Sequence, residues 1–124
     1  VQTCALPIWT EIRRITDSPL FTGLPRTFHS FSSHFEEVAE LPKGFRKLAE
    51  SRDCAIQAMQ LGDRPVFGIQ FHPEKTEAEA EEIFDERKKK GDKAALLNAN
   101  RTRDCFDADV GLKIFSNFFR SVLE

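Results

Sequence analysis

The chain has 124 residues, enough for one small domain. Hydrophobic residues make up 40% and charged residues 31%, the balance of a soluble globular protein, and a net charge of −2 gives no electrostatic reason to expect nucleic acid as a partner. No apolar run approaches the roughly 18 residues of a membrane span, and nothing at the start resembles a secretory leader. Cys4 falls in the first eight residues, and Cys54 and Cys105 are too scattered for a disulfide framework, so a reducing, cytoplasmic setting is expected from the cysteines.

The first eight residues, VQTCALPI, are the direct translation of GTT CAG ACG TGT GCT CTT CCG ATC, part of a widely used sequencing-library adapter. Val1–Ile8 is therefore read as an assembly scar on a truncated reading frame and set outside the fold. Trp9–Ile15 reads as a strand of ambiguous period. Ser18-Pro19 and Gly23-Leu24-Pro25 punctuate a loop. Thr27–Ser33 alternates in part and predicts a second strand, leading to a loop at Ser33-His34-Phe35. Glu37–Leu41 is short and mixed, and Pro42-Lys43-Gly44 is a turn signal. Phe45–Ala49 and Ala55–Met59 are predicted strands, and Leu61–Arg64 is a turn.

Val66–Phe71 is apolar on both faces, the pattern of a central buried strand, and its short link to the preceding one favours an antiparallel hairpin. Gly68 in mid-strand suggests close packing. The strand ends in His72-Pro73-Glu74. In an extended chain residues i and i+2 share a face, and Pro73 biases His72 toward that conformation. The spacing lets Glu74 hold one imidazole nitrogen while the other faces a nucleophile, the base-and-orienter half of a catalytic triad.

Thr76 is a plausible N-cap, with Glu77, Glu79, Glu81 and Glu82 in the early turns and Arg87–Lys90 in the late ones; Gly91 is a stop signal. The stretch reads as a solvated helix. Asn98, Asn100, Asp104 and Asp107 argue for loop over Leu96–Asp109. Val110–Leu123 reads as an amphipathic helix able to cover a sheet, with Gly111, Ile114, Phe115, Phe118 and Val122 near one stripe. Twelve Phe and no Tyr suggest a core filled by apolar rings. His29, His34 and His72 fit no usual zinc-ligand spacing, so neither metal nor cofactor is expected. His29 reads as a histidine with no functional role, and Cys54 as a small buried hydrophobe.

GIQFHPE, Gly68–Glu74, resembles the hallmark strand of the class I glutamine amidotransferases, a Cys-His-Glu triad family. Ser33–Ser51, SHFEEVAELPKGFRKLAES, is similar to the family's S-H-x-(D/E)-x-V-x-x-L-P-x-G-F-x-x-L-A segment. CAIQAMQ, Cys54–Gln60, looks like the strand before the catalytic one, and Trp9–Leu24 like the family's G-W-x-x-I and P-L-F-x-G-L stretch. The run is closest to the GMP-synthase-like members, with the histidine, anthranilate and aminodeoxychorismate branches left open.

The resemblance implies an α/β fold, here the C-terminal portion of a three-layer sandwich. It implies a mixed sheet with an antiparallel hairpin and a covering C-terminal helix. Residues 9–124 would form a partial amidotransferase domain, with about 76–108 as an insertion. His72 is implied as the general base and Glu74 as its orienting partner. Ser33, His34 and Phe35 would help hold substrate glutamine, and a synthase or synthetase partner would accept the ammonia. The family's nucleophile lies in G-x-C-x-G, and no such motif occurs in this sequence. The chain alone is therefore expected to be inactive. A γ-glutamyl peptidase-like hydrolase of the same fold and a non-catalytic regulatory module remain open alternatives.

Overall fold

A computed structural model describes residues 8–33, 36–91 and 103–123. Five strands form one sheet in the order β2-β1-β3-β4-β5: β1 Ile8–Arg14, β2 Thr27–Ser32, β3 Phe45–Glu50, β4 Ala58–Leu61 and β5 Phe67–Ile69. Among the described residues two helices follow, α1 Glu77–Lys89 and α2 Ala108–Leu123. Short 3-10 turns lie at Pro19–Phe21 and Arg103–Cys105. The α/β class, the β4–β5 hairpin and the covering helix agree with expectation. The expected mixed sheet differs in detail, because every strand pairing among the described residues is antiparallel.

The two faces of the sheet follow from the alternation of side chains. In the β1–β2 pair Ile12 sits opposite Phe28, and Trp9 opposite Phe31. Ile12 and Trp9 differ by an odd number of residues, so the two pairs point to opposite faces. On one face Ile12, Phe28, Leu48 and Ala58 pack with Leu20 and Phe21 of the first 3-10 turn and with Val110 and Ile114 of α2. On the other face Trp9 and Phe31 pack with Ala80 and Phe84 of α1. The sheet is thus the middle of three layers.

α1 begins where expected. Thr76 Oγ1 accepts a hydrogen bond from the Glu79 N–H at 3.2 Å, and Glu79 Oε1 accepts one from the Thr76 N–H at 3.2 Å, a reciprocal capping box. The Thr76 N–H and hydroxyl, both donating to Glu79 Oε1, hold the Glu79 carboxyl below its ordinary value, with Lys75 adding to them. Replacing Thr76 by alanine is expected to cost about 1 kcal/mol of stability, read from urea denaturation. The expectation of a merely solvated helix needs correcting. Its charged residues face water, but Ala80 and Phe84 are buried, and the Phe84 ring meets Phe31 at 5.9 Å. A mean over so charged a segment hides two contacts one turn apart.

Two other boundaries differ. The predicted strand Ala55–Met59 starts later, at Ala58, and a register irregularity between Lys47 and Ala49 lies at that end of the β3–β4 ladder. The predicted central strand Val66–Phe71 is instead the three-residue edge strand β5, with Val66 and Ile69 46% and 38% exposed. Apolar character reports what a strand is able to bury, not which neighbours it meets. Pro65, just before β5, has no N–H to offer a ladder.

α2 also sits differently from the predicted stripe. Val110, Ile114 and Asn117 face inward, while Phe115 and Val122 are exposed. Asn117 fixes this rotation. Its Nδ2 donates to the carbonyls of Leu20 and Thr22, both at 2.9 Å. These bonds satisfy a buried amide and clamp the helix to the first 3-10 turn. On the far side of the sheet, an Arg13 hydrogen bond, assisted by Lys47, holds the Glu50 carboxyl below its ordinary value.

Residues 1–7 and 92–102 lie outside the described residues, as does Glu124. The adapter reading therefore concerns residues of which only the Ile8 backbone is described, opening β1 opposite Ser32.

Candidate active site

The buried ring of Phe71 anchors the chain after β5, and the backbone then reaches β2. The His72 N–H donates to the Phe31 carbonyl at 2.7 Å, an isolated antiparallel bridge on the outer edge of β2. The Lys75 N–H donates back to the His72 carbonyl at 3.3 Å, closing a four-residue turn with Pro73 in its second position. The fixed φ of proline suits that position. Within this turn His72 Nδ1 lies 2.7 Å from Glu74 Oε1.

Alternation along an extended chain is the expected way to pair these side chains. The turn brings them together instead, because Pro73 ends ladder pairing and bends the backbone. A carboxylate only accepts hydrogen bonds, so Nδ1 carries the proton in this contact. Nε2 is then the nitrogen presented to an incoming group. The two side chains are 37% and 47% exposed, so the pair is reachable from solvent.

The pair opens on a cleft of about 540 Å³. Trp9, His29 and Phe106 line it together with Leu112, Phe115 and Phe119 of α2. α2 comes this close because Gly111 has no side chain. A β-carbon there would lie 2.4 Å from the Pro73 carbonyl oxygen, inside any permitted contact. Gly68 plays a milder version of the same part, with Met59 Cε 2.8 Å from where its β-carbon would be.

His72 and Glu74 are thus brought together. Ser33 follows β2 directly, half-buried, and is not among the residues lining the cleft. His34 and Phe35 lie outside the described residues. His29, read from sequence as having no role, lines the cleft. No motif marks it, and only the docking of His72 on β2 brings it there. Cys54 is buried, with Sγ 3.6 Å from the Ile56 carbonyl, and Cys105 packs against the Trp9 cluster. No cysteine is among the described residues lining the cleft.

The sequence pattern of the family "Glutamine amidotransferase class-I" matches residues 9–89, from β1 through α1. The chain belongs to this family. A glutamine-hydrolysing GMP synthase subunit of Archaeoglobus fulgidus is 45% identical over 64 residues, which are 52% of this chain and 35% of that protein. The glutamine-hydrolysing GMP synthase of Caldicellulosiruptor saccharolyticus is 48% identical over 65 residues, 52% of this chain and 13% of that protein. Among solved structures, a glutamine amidotransferase from Thermotoga maritima aligns with a TM-score of 0.70 and 21% identity, covering 99% of this chain and 54% of that one. A glutamine amido transferase from Methylobacillus flagellatus aligns at 0.61 and 17%, covering 98% and 51%. These structural likenesses establish the fold. This class-I chain spans about half the length of the solved structures and about a third of the Archaeoglobus relative.

Proposed function

We propose that this chain supplies the base and its orienting acid to a site that hydrolyses the side-chain amide of glutamine. The observation that carries the reading is the 2.7 Å contact between His72 Nδ1 and Glu74 Oε1 at the mouth of an open cleft, inside the matched stretch. Glu74 fixes the imidazole, and His72 Nε2 takes the proton from a cysteine thiol. That thiol belongs to the family's G-x-C-x-G motif, absent from this sequence and supplied by the part of the fold this chain does not span.

The thiolate attacks the amide carbon of glutamine. The carbon–nitrogen bond breaks and the imidazolium returns its proton to the leaving nitrogen, releasing ammonia and leaving a thioester. His72 then deprotonates a water, which displaces the thiolate to give glutamate. Ser33, His34 and Phe35 are assigned to holding the substrate. Ammonia passes to an acceptor on a synthetase domain or subunit, in the manner the names of the GMP synthase relatives suggest. The reaction calls for no metal or cofactor, and the setting is the cytoplasm.

The test is a fused chain. The residues of the Archaeoglobus relative that precede its counterpart of Trp9 are joined ahead of Trp9. The fusion is expected to release ammonia from glutamine, and the 124-residue chain alone is expected to release none. A fusion that melts cooperatively yet leaves glutamine intact would sink the proposal.

A further inference from the structure

α2 is apolar on two sides. Val110 and Ile114 face the sheet, with Asn117 between the loop carbonyls it binds. Leu112, Phe115, Phe119 and Val122 recur at steps of three and four on the opposite side, and stand between 41% and 67% exposed. A helix that covers a sheet and turns its back to water carries polar residues on that back. A row of four large apolar side chains marks a surface built for contact. Leu112, Phe115 and Phe119 also line the cleft that holds His72 and Glu74, so the row is continuous with the wall of the candidate site.

The solved structures of this fold are about twice as long as this chain. Nearly all of this chain aligns with them, yet the alignment takes only 54% and 51% of their lengths. About half of a class-I fold therefore consists of elements with no counterpart here. We propose that the Leu112–Val122 row docks that complementary half through an apolar face, so that the cleft lies between the two halves. A second copy of this chain on the same row would add no new kind of element to the cleft. The inference rests on this surface and on coverage, not on the glutamine chemistry.

The experiment uses the fused chain described above and the 124-residue chain side by side, both carrying His72→Ala so that no readout depends on turnover. Hydrogen exchange is expected to show protection gained across residues 112–122 in the fusion. The double substitution Phe115→Lys, Phe119→Lys is expected to lower the melting temperature of the short chain only slightly, since Phe119 touches Phe118 and the two substituted rings are largely exposed. In the fusion it should lower that temperature by about 5 °C or more. Equal effects in both chains, or a fusion in which the row gains no protection, would overturn the proposal. So would a dimer of the short chain that the double substitution dissolves while the fusion is unaffected. Should the row gain protection while the fusion with His72 intact fails to hydrolyse glutamine, docking stands and the proposed reaction falls; the reverse outcome separates them the other way.

Discussion

Replacing His72 by alanine in the fused chain is expected to lower kcat/KM for glutamine by about a hundred- to ten-thousand-fold, the usual contribution of a well-placed general base. The loss should fall on kcat, because the imidazole works on protons and holding the substrate is assigned to other residues. Glu74→Gln tests the second half of the pair. An amide presents an N–H toward Nδ1 and favours the tautomer with its proton on Nε2, the wrong state for a base. A drop of similar order is expected, although the geometry of the turn is kept. Circular dichroism and thermal melting separate both variants from a structural defect, since each is expected to keep the fold of the parent fusion. Unchanged turnover in either variant would remove the base-and-orienter assignment.

The second large effect concerns Gly111. Alanine in place of glycine inside a helix ordinarily stabilises it by roughly 0.5–1 kcal/mol. Here the opposite sign is expected. The new β-carbon would lie 2.4 Å from the Pro73 carbonyl oxygen, a backbone atom of the turn that carries His72 and Glu74. Overpacking of this kind typically costs about 1–3 kcal/mol. α2 cannot retreat freely, because Asn117 ties it to Leu20 and Thr22. The turn has to give instead, and with it the cleft. Gly68→Ala is the matched control. Its β-carbon would meet Met59 Cε, the far end of a flexible side chain, and a smaller loss is expected. Urea denaturation of the 124-residue chain measures both, and a stabilised Gly111→Ala would show that α2 does not press on the turn.

The site is more legible in the sequence than its surroundings. GIQFHPE carries its chemistry in neighbouring residues, so the His72–Glu74 pair is visible without knowing what surrounds it. Even there the cause differs from expectation: alternation suggests a strand, and the proline makes a turn. Strands β1, β2 and β3 are readable from their apolar residues and bounding turns. What escapes depends on contacts between distant positions. Asn117 looks like a blemish in an apolar helix, and its two carbonyl partners lie 97 and 95 residues away. The rotation of α2, and hence the exposure of Phe115, goes with that clamp and with the burial of Val110 and Ile114. Phe84 in a highly charged segment is easily passed over for the same reason, since the cluster built on Trp9 and Phe31 gives it a place. His29 gains interest once the edge of β2 is found to receive His72.

Trp9 has a use beyond packing. It is the single tryptophan of a chain without tyrosine, and it lines the cleft. Indole dominates near-ultraviolet fluorescence, and the many phenylalanines contribute little. Light emitted by this protein therefore comes almost wholly from one ring, edge-on to Phe31 at 5.4 Å and tilted against Phe106 at 5.2 Å. The chain carries a built-in optical reporter in the wall of the cleft that His72 also lines, and its colour and brightness are expected to change as that space fills or drains.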